Sequence, residues 1–191
     1  MTKNRMEAFS DGVLAIIITI MVLGLSAPKD ASLASLRPLI PTFLSYALSF
    51  LYLGIYWNNH HHMLQAAKHV TGGVLWANLH LLFWLSLIPF ATGWMGATRF
   101  AEWPVVLYGV VLLLAAIAYF VLAKVLIAAH GADSILAKAI GGDLKGKVSV
   151  ALYAAALPLA FVNTWFSCAL YVIVAVTWLV PDRRIERVLP K

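Results

Sequence analysis

The stretch from Arg5 to Leu25 reads RMEAFSDGVLAIIITIMVLGL and constrains the fold more than any other part of the chain. Its second part, from Val13 onwards, contains no charged residue, whereas Arg5, Glu7 and Asp11 lie immediately before it. A helix that spans a bilayer needs about 20 residues, so this helix must bring those ionisable groups close to the membrane. Ionisable groups at membrane depth are costly and are candidates for a functional site.

The composition of the whole chain supports the same class of protein. Of the 191 residues, 62% are hydrophobic and 12% are charged, and the formal net charge is +6. These proportions are typical of a protein that crosses the membrane several times and not of a soluble core. The single cysteine, Cys168, lies in an apolar run, so the sequence indicates no internal disulfide and no cysteine metal site. We find no phosphate-binding glycine loop, no nucleophile and base pair and no carboxylate dyad, and we expect no enzymatic activity.

Hydrophobic runs and their polar interruptions predict an all-α integral membrane protein with six transmembrane helices. The final apolar block is too long for one helix and is divided at Asn163 and Thr164. No internal repeat or domain boundary is evident, so residues 1–191 are expected to form a single six-helix transmembrane unit. The spans are predicted at about Arg5 to Leu25, Leu39 to His61, Gly73 to Trp94, Trp103 to His130, Val148 to Asn163, and Thr164 to Val180.

The distribution of lysine and arginine predicts the orientation. Six spans place both termini on one side of the membrane, and that side carries most of the 14 basic residues, so it should be cytoplasmic. The basic surplus therefore indicates orientation and contact with anionic lipid, with no need for a nucleic acid partner. The expected cytoplasmic set is Lys3, Arg5, Lys68, Lys124, Lys138, Lys145, Lys147, Arg183, Arg184, Arg187 and Lys191, and the opposite set is Lys29, Arg37 and Arg99.

One face of the first helix is a narrow aliphatic stripe with a single hydroxyl group. At about 100° per residue, this face contains Phe9, Gly12, Ile16, Thr19, Ile20 and Leu23, with Arg5 at its lower end. Such a stripe commonly contacts lipid or packs against other helices. Alternatively, if several copies surround an axis, Ile16, Ile20 and Leu23 form hydrophobic rings that gate by dewetting, and Thr19 supplies a ring of oxygen atoms. Periodicity alone leaves both interpretations open.

A second group of polar residues predicts contacts between the first three helices. Asp11 points away from the stripe, and the end of the second span and the third span both carry polar side chains at a similar depth. Buried polar groups in a membrane must be paired, whether they serve a structural role or relay protons. The predicted network contains Arg5, Ser10, Asp11, Trp57, His60, His61 and Asn78.

The run His60-His61-His62 raises two cofactor hypotheses. Consecutive residues on a helix point about 100° apart and cannot all bind one metal ion, and no carboxylate stands at ligand spacing. His61 and His80 on neighbouring spans could instead hold a haem, although no other feature supports it. A contribution to pH sensing is the more plausible role, because imidazoles titrate near neutral pH. We therefore expect no metal site and no cofactor.

The first helix resembles that of a known channel family. The signature Arg5-x-x-x-Phe9-Ser10-Asp11-Gly12-Val13-x-Ala15-Ile16, with Thr19 after it, is similar to the opening helix of the endosomal and lysosomal potassium channel family of the transmembrane protein 175 type, which has bacterial members. Trp57-x-x-His60-His61 and Asn78 resemble the residues of the second and third helices that pair with the Arg and Phe-Ser-Asp residues in that family.

The resemblance implies a potassium-favouring cation channel in a bacterial cell membrane. It further implies a homotetramer in which four copies of the first helix line the pore. Animal members of the family carry two six-helix repeats per chain, whereas this chain has one such unit, so four subunits would replace two. In that arrangement Ile16, Ile20 and Leu23 are the constriction and Thr19 is the selectivity-shaping layer. Phe9 joins Arg5, Ser10, Asp11, Trp57, His60, His61 and Asn78 in a network that holds the pore helix and conducts no ions. The permeant ion would be K⁺, with no other cofactor.

Two other function classes remain open on the residues alone. A secondary transporter is expected to show inverted repeats or interrupted helices that carry charges at the membrane midplane, whereas the unpaired polar groups here cluster at one membrane face, and a proton-conducting protein is the related alternative. A haem-binding redox protein would depend on His61 and His80. The sequence also lacks a TVGYG-type filter, so we expect only a modest preference for potassium.

Overall fold

The computed structural model describes residues 2–131, 133, 134, 137 and 143–179. Within these ranges the chain forms seven α-helices and one 3₁₀ helix. They are α1 (Lys3–Leu23), the 3₁₀ helix Leu33–Leu39, α2 (Ile40–Gln65), α3 (Gly72–Ser86), α4 (Ile88–Ala97), α5 (Glu102–His130), α6 (Leu144–Leu159) and α7 (Thr164–Leu179).

These helices occupy all six predicted spans. Four helical stretches are long and apolar enough to cross a membrane, namely Lys3–Leu23, Leu33–Gln65, Gly72–Ala97 and Glu102–His130, and Thr164–Leu179 is a shorter apolar helix. The predicted class, an all-α integral membrane protein that crosses the membrane more than once, is therefore confirmed. The predicted end of the last span at Val180 lies outside the described residues.

The third predicted span consists of two consecutive helices. α3 ends at Ser86, and α4 begins at Ile88 with Pro89 in its first turn. A proline has no backbone N–H to donate and its ring crowds the carbonyl four residues earlier, here that of Leu85. The break at Leu87 is therefore a local consequence of Pro89, and α4 continues the same span to Ala97.

α1 packs against α2, α3 and α4 through one face only. The buried residues on that face recur every three or four positions, which is the helical repeat. They are Met6, Ser10, Leu14, Ile17 and Met21. The opposite face of α1 is largely exposed, and this is the face that carries the predicted stripe.

α5 lies at the centre of the bundle and packs against α3, α4, α6 and α7. Glycines allow two close approaches between helices. A Cβ atom added at Gly96 would lie 2.6 Å from the Ser45 hydroxyl on α2, and one added at Gly109 would overlap the hydroxyl group of Tyr171 on α7. The helices approach so closely at these positions because glycine has no side chain.

A cluster of tyrosines fills the contact between α2, α5, α6 and α7. The Tyr52 hydroxyl donates to the Tyr171 carbonyl at 2.6 Å, and the Tyr171 hydroxyl donates to the Val105 carbonyl at 3.1 Å. Tyr108 shares a hydrogen bond of 3.0 Å with Ser49. The hydroxyl groups thus find buried partners, which membrane-spanning segments require. The sequence analysis did not predict this cluster.

Contacts between helix ends place two of the described lysines at one end of the bundle. Lys3 Nζ donates to the Ala67 carbonyl at 3.2 Å, which joins the start of α1 to the end of α2. The backbone N–H of Lys68 donates to His130 Nε2 at 2.9 Å, which joins the α2–α3 link to the end of α5. Lys3 and Lys68 therefore lie at the same end of the bundle. Lys138, Arg183, Arg184, Arg187 and Lys191, which were assigned to this side, lie outside the described residues.

Candidate functional site

The predicted stripe of α1 lies on the outside of the chain. Ile16 is 59% exposed, Ile20 is 50% exposed and Leu23 is 80% exposed. Phe9, Gly12 and Thr19 are exposed on the same side. A single chain thus leaves a column of aliphatic side chains of which at least half the surface is exposed.

Thr19 interrupts this column with an oxygen atom. Its hydroxyl group donates to the carbonyl of Ile16 at 2.9 Å, one turn earlier on the same helix. Because the proton is used in this bond, the lone pairs of the hydroxyl oxygen remain available as acceptors. An exposed acceptor between Ile16 and Ile20 can contact a cation or a water molecule.

On the opposite face, a buried chain of hydrogen bonds joins α1 to α3 and α2. Asn78 Nδ2 donates to Ser10 Oγ at 2.9 Å, and Ser10 Oγ donates to the Met6 carbonyl at 2.9 Å. His60 Nε2 lies 2.8 Å from Asn78 Oδ1. Ser10, Asn78 and His60 are all almost completely buried. Water cannot reach these side chains, so they must satisfy one another's hydrogen bonds.

The direction of this chain determines the tautomer of His60. The amide nitrogen of Asn78 is the donor to Ser10, so its oxygen can only accept, and His60 must carry its proton on Nε2. His60 Nδ1 is buried and has no partner among the described residues. A charged imidazole would bury a second N–H without an acceptor, so this geometry fits the neutral form. A neutral side chain with a single donated bond suits a structural contact.

A second set of contacts lies nearer the start of α1. Trp57 Nε1 donates to Asp11 Oδ1 at 3.0 Å, and His61 Nδ1 lies 3.0 Å from Glu7 Oε1. Gln65 Nε2 lies 2.9 Å from His61 Nε2, and the Trp57 and His61 rings are stacked with centroids 6.2 Å apart. Both carboxylates of α1 therefore have a partner on α2.

The structure brings six members of the predicted network together and leaves two outside it. Ser10, Asp11, Trp57, His60, His61 and Asn78 form the two sets of contacts described above. Arg5 and Phe9 are exposed, and Arg5 makes no hydrogen bond or ion pair with a residue that the structure describes.

Sequence reasoning left two participants out of the network. Glu7 lies one turn before Asp11, and Gln65 lies one turn after His61. The helical spacing of four residues was the available signal for both, because side chains at that spacing lie on one face of a helix.

His61 and His80 are used in separate hydrogen bonds, and His62 Nδ1 is buried without a hydrogen-bond partner among the described residues. Both ring nitrogens of His61 are engaged, and His80 Nε2 accepts from Trp84 Nε1 at 3.0 Å. Within the described residues no group of three or more metal-ligating side chains is present. This arrangement offers no geometric support for the metal and haem hypotheses.

The fold and these contacts define a multi-pass helical membrane protein with an exposed aliphatic face on its first helix. The family model described as Endosomal/lysosomal potassium channel TMEM175 matches residues 5–89. A potassium channel of Chryseobacterium sp. (strain P1-3) is 53% identical over 187 residues, covering 98% of this chain and 97% of the relative. The chain therefore belongs to the TMEM175 family, and the family resemblance predicted from the sequence is confirmed.

Two further relatives extend the comparison. The crystal structure of a lysosomal potassium-selective channel TMEM175 homologue from Chamaesiphon minutus has a TM-score of 0.80 and 26% identity, covering 94% of this chain and 97% of that one. The human protein named endosomal/lysosomal proton channel TMEM175 is 31% identical over 116 residues, covering 54% of this chain and 23% of the relative. The family and these relatives are ion channels and not enzymes, in agreement with the class predicted from the sequence.

Proposed function

We propose that this protein is a potassium-favouring cation channel in which the exposed face of α1 lines the pore of a homotetramer. One observation carries the proposal: the face of α1 with Ile16, Thr19, Ile20 and Leu23 is exposed, while the opposite face is packed and hydrogen-bonded within the chain. The names of the bacterial relatives support potassium as the permeant ion. Each chain would contribute one six-helix unit.

The proposed constriction consists of three aliphatic layers. Ile16 and Ile20 are four residues apart and Leu23 follows after three, so their layers would lie about 6 Å and 4.5 Å apart along the axis. Rings of such side chains narrow a pore and exclude water, which raises the barrier to a hydrated ion. Thr19 would place a ring of hydroxyl oxygens between two of these layers. Because no complete shell of carbonyl groups is offered, preference for K⁺ over Na⁺ should be modest.

The contacts of Ser10, Asn78 and His60 would hold α1 in position against its own chain while the other face borders the pore. This structural role requires no proton transfer. It is supported by the buried hydrogen bonds between these residues, in which each donor and acceptor is assigned. The charge distribution supports cytoplasmic termini and a location in the bacterial cell membrane.

Ion flux measurements in liposomes test the proposal. The purified protein is reconstituted with a K⁺ gradient, and valinomycin-independent K⁺ and Na⁺ flux is measured for the wild type, Ile16→Asn and Leu23→Asn. We expect flux that favours K⁺ and that rises in both variants, because a polar side chain retains water in the constriction.

Val22→Asn is the matched control, because Val22 is also exposed but lies roughly 100° around the helix from Leu23. Its flux should equal that of the wild type. Equal flux from Leu23→Asn and Val22→Asn would contradict a pore lined by this face. Folded protein without ion flux would instead favour a transporter, and a pH-sensitive dye in the lumen would detect proton conduction.

A further inference from the structure

A cavity of about 280 Å³ lies between α2, α5, α6 and α7, away from the stripe of α1. It extends along α6 from Gly146 to Tyr153, a distance of about 10 Å for seven helical steps. Most of its wall is aromatic or aliphatic. The apolar and aromatic part of the wall includes Tyr56, Ala116, Ile117, Phe120, Tyr153 and Trp178.

The mouth of the cavity is positively charged. Lys147 lines it directly. Lys145 Nζ lies 5.0 Å from the ring centroid of Trp178, and Lys124 Nζ lies 5.3 Å from that of Phe120, and both rings line the cavity. Three ammonium groups are therefore close to one apolar space.

Asp143 is the one carboxylate among the described lining residues, and it has a structural partner. Its Oδ1 accepts from the backbone N–H of Gly146 at 3.1 Å, which caps the start of α6. Among the described residues around the mouth, the positive charge thus exceeds the negative charge. An anionic group is favoured at this position, and an apolar group is favoured deeper in the cavity.

The cavity also reaches the outer surface of the bundle. Ile117 lines it near the middle of α5 and is 37% exposed. Since α5 is long and apolar enough to span the membrane, a residue exposed at its centre lies at the depth of acyl chains. An occupant can therefore enter from the side of the membrane.

We propose that this cavity binds one acyl chain of an anionic phospholipid, with the phosphate at Lys147 and Lys145. The combination of an aromatic interior, a basic mouth at one end of α6 and a lateral opening matches a molecule with an apolar chain and an anionic head. Free phosphate would satisfy only the mouth, because it has no group to fill the aromatic part. The proposal is independent of ion conduction, so it can fail while the channel proposal holds.

Native mass spectrometry of the delipidated protein in mild detergent tests lipid binding. The protein is titrated with phosphatidylglycerol and with phosphatidylcholine of the same acyl chains, and separately with inorganic phosphate. We expect preferential retention of phosphatidylglycerol and no retention of phosphate. Lys147→Gln should weaken phosphatidylglycerol retention about fivefold, as expected for one lysine near an anionic lipid. Lys29→Gln removes an exposed lysine from the opposite end of the bundle and should change nothing.

Ala116→Phe tests the acyl-chain part by filling the cavity. It should reduce retention of phosphatidylglycerol, whereas Ala151→Phe, at an exposed position on α6 outside the cavity, should not. Each variant must elute and melt as the wild type does. Equal retention of the two lipids, or full retention by Lys147→Gln or Ala116→Phe, would overturn the proposal. Retention only by dissociated single chains would show that a second copy covers the cavity, and it would overturn the proposal as well.

Discussion

His60 on α2 and Asn78 on α3 share a buried hydrogen bond of 2.8 Å whose direction is determined by a third residue. Because Asn78 donates its amide N–H to Ser10 on α1, its oxygen accepts from His60. The three helices at the side of the bundle that carries α1 are thus joined by one oriented chain of donors and acceptors. Removing any member leaves a buried group without a partner.

Ser10→Ala removes the acceptor for the Asn78 amide group. We expect a loss of about 1–2 kcal/mol of stability, because the Asn78 N–H stays buried without a partner. Thr19→Ala is the control, since Thr19 is exposed and bonds only to its own helix; its effect should stay below about 0.5 kcal/mol. Thermal unfolding of the purified protein in detergent measures both. Equal melting temperatures for the two variants would show that the chain of bonds adds little.

Asn78→Asp keeps the size of the side chain but cannot donate to Ser10 and places a carboxylate in a buried position. We expect a larger loss than for Ser10→Ala, of about 3 kcal/mol or more, because the cost of burying a carboxylate is added to a lost hydrogen bond. Asn163→Asp is the matched control. Asn163 is exposed, and its Oδ1 accepts a hydrogen bond from the backbone N–H of Trp165, which an aspartate oxygen can accept equally well. The yield of monodisperse protein by size-exclusion chromatography measures the difference. A normal yield from Asn78→Asp would contradict the assigned direction of the bonds.

Asp11→Ala removes the acceptor of the Trp57 indole N–H. If this contact holds α1 in place for assembly, the fraction of oligomer should fall, and Trp57→Phe should have a similar effect. Asp11→Asn retains an oxygen acceptor and should assemble better than Asp11→Ala. Chemical crosslinking in membranes reports the oligomeric fraction. Normal oligomers from Asp11→Ala would argue against a structural role.

Gly109→Ala tests the close approach of α5 and α7. The added Cβ atom would overlap the Tyr171 hydroxyl group, so one helix must shift and the Tyr171 bond to the Val105 carbonyl must lengthen. We expect destabilisation by about 1–3 kcal/mol. Gly54→Ala meets no atom within 4 Å and lies in the interior of α2, so it should be neutral or slightly stabilising. Thermal unfolding compares the pair, and equal effects would indicate that the approach is looser than described.

The sequence by itself determined the class of the protein, the positions of the helices and the family. Hydrophobic runs predict membrane helices because the bilayer has a fixed thickness, and the signature from Arg5 to Ile16 is unusual enough to identify a family. Helical periodicity also separated two faces of α1, because each residue's angle around the axis follows from its number.

Only the tertiary structure decided which side chains meet. Periodicity gives a direction around one helix and not the height or distance of a neighbouring helix, so it could not reveal that Glu7 reaches His61 or that Arg5 stays exposed. The tyrosine cluster and the cavity beside Lys147 also arise from several helices that are distant in sequence. Contacts of this kind depend on how closely helices approach, which at Gly96 and Gly109 is set by the absence of a side chain.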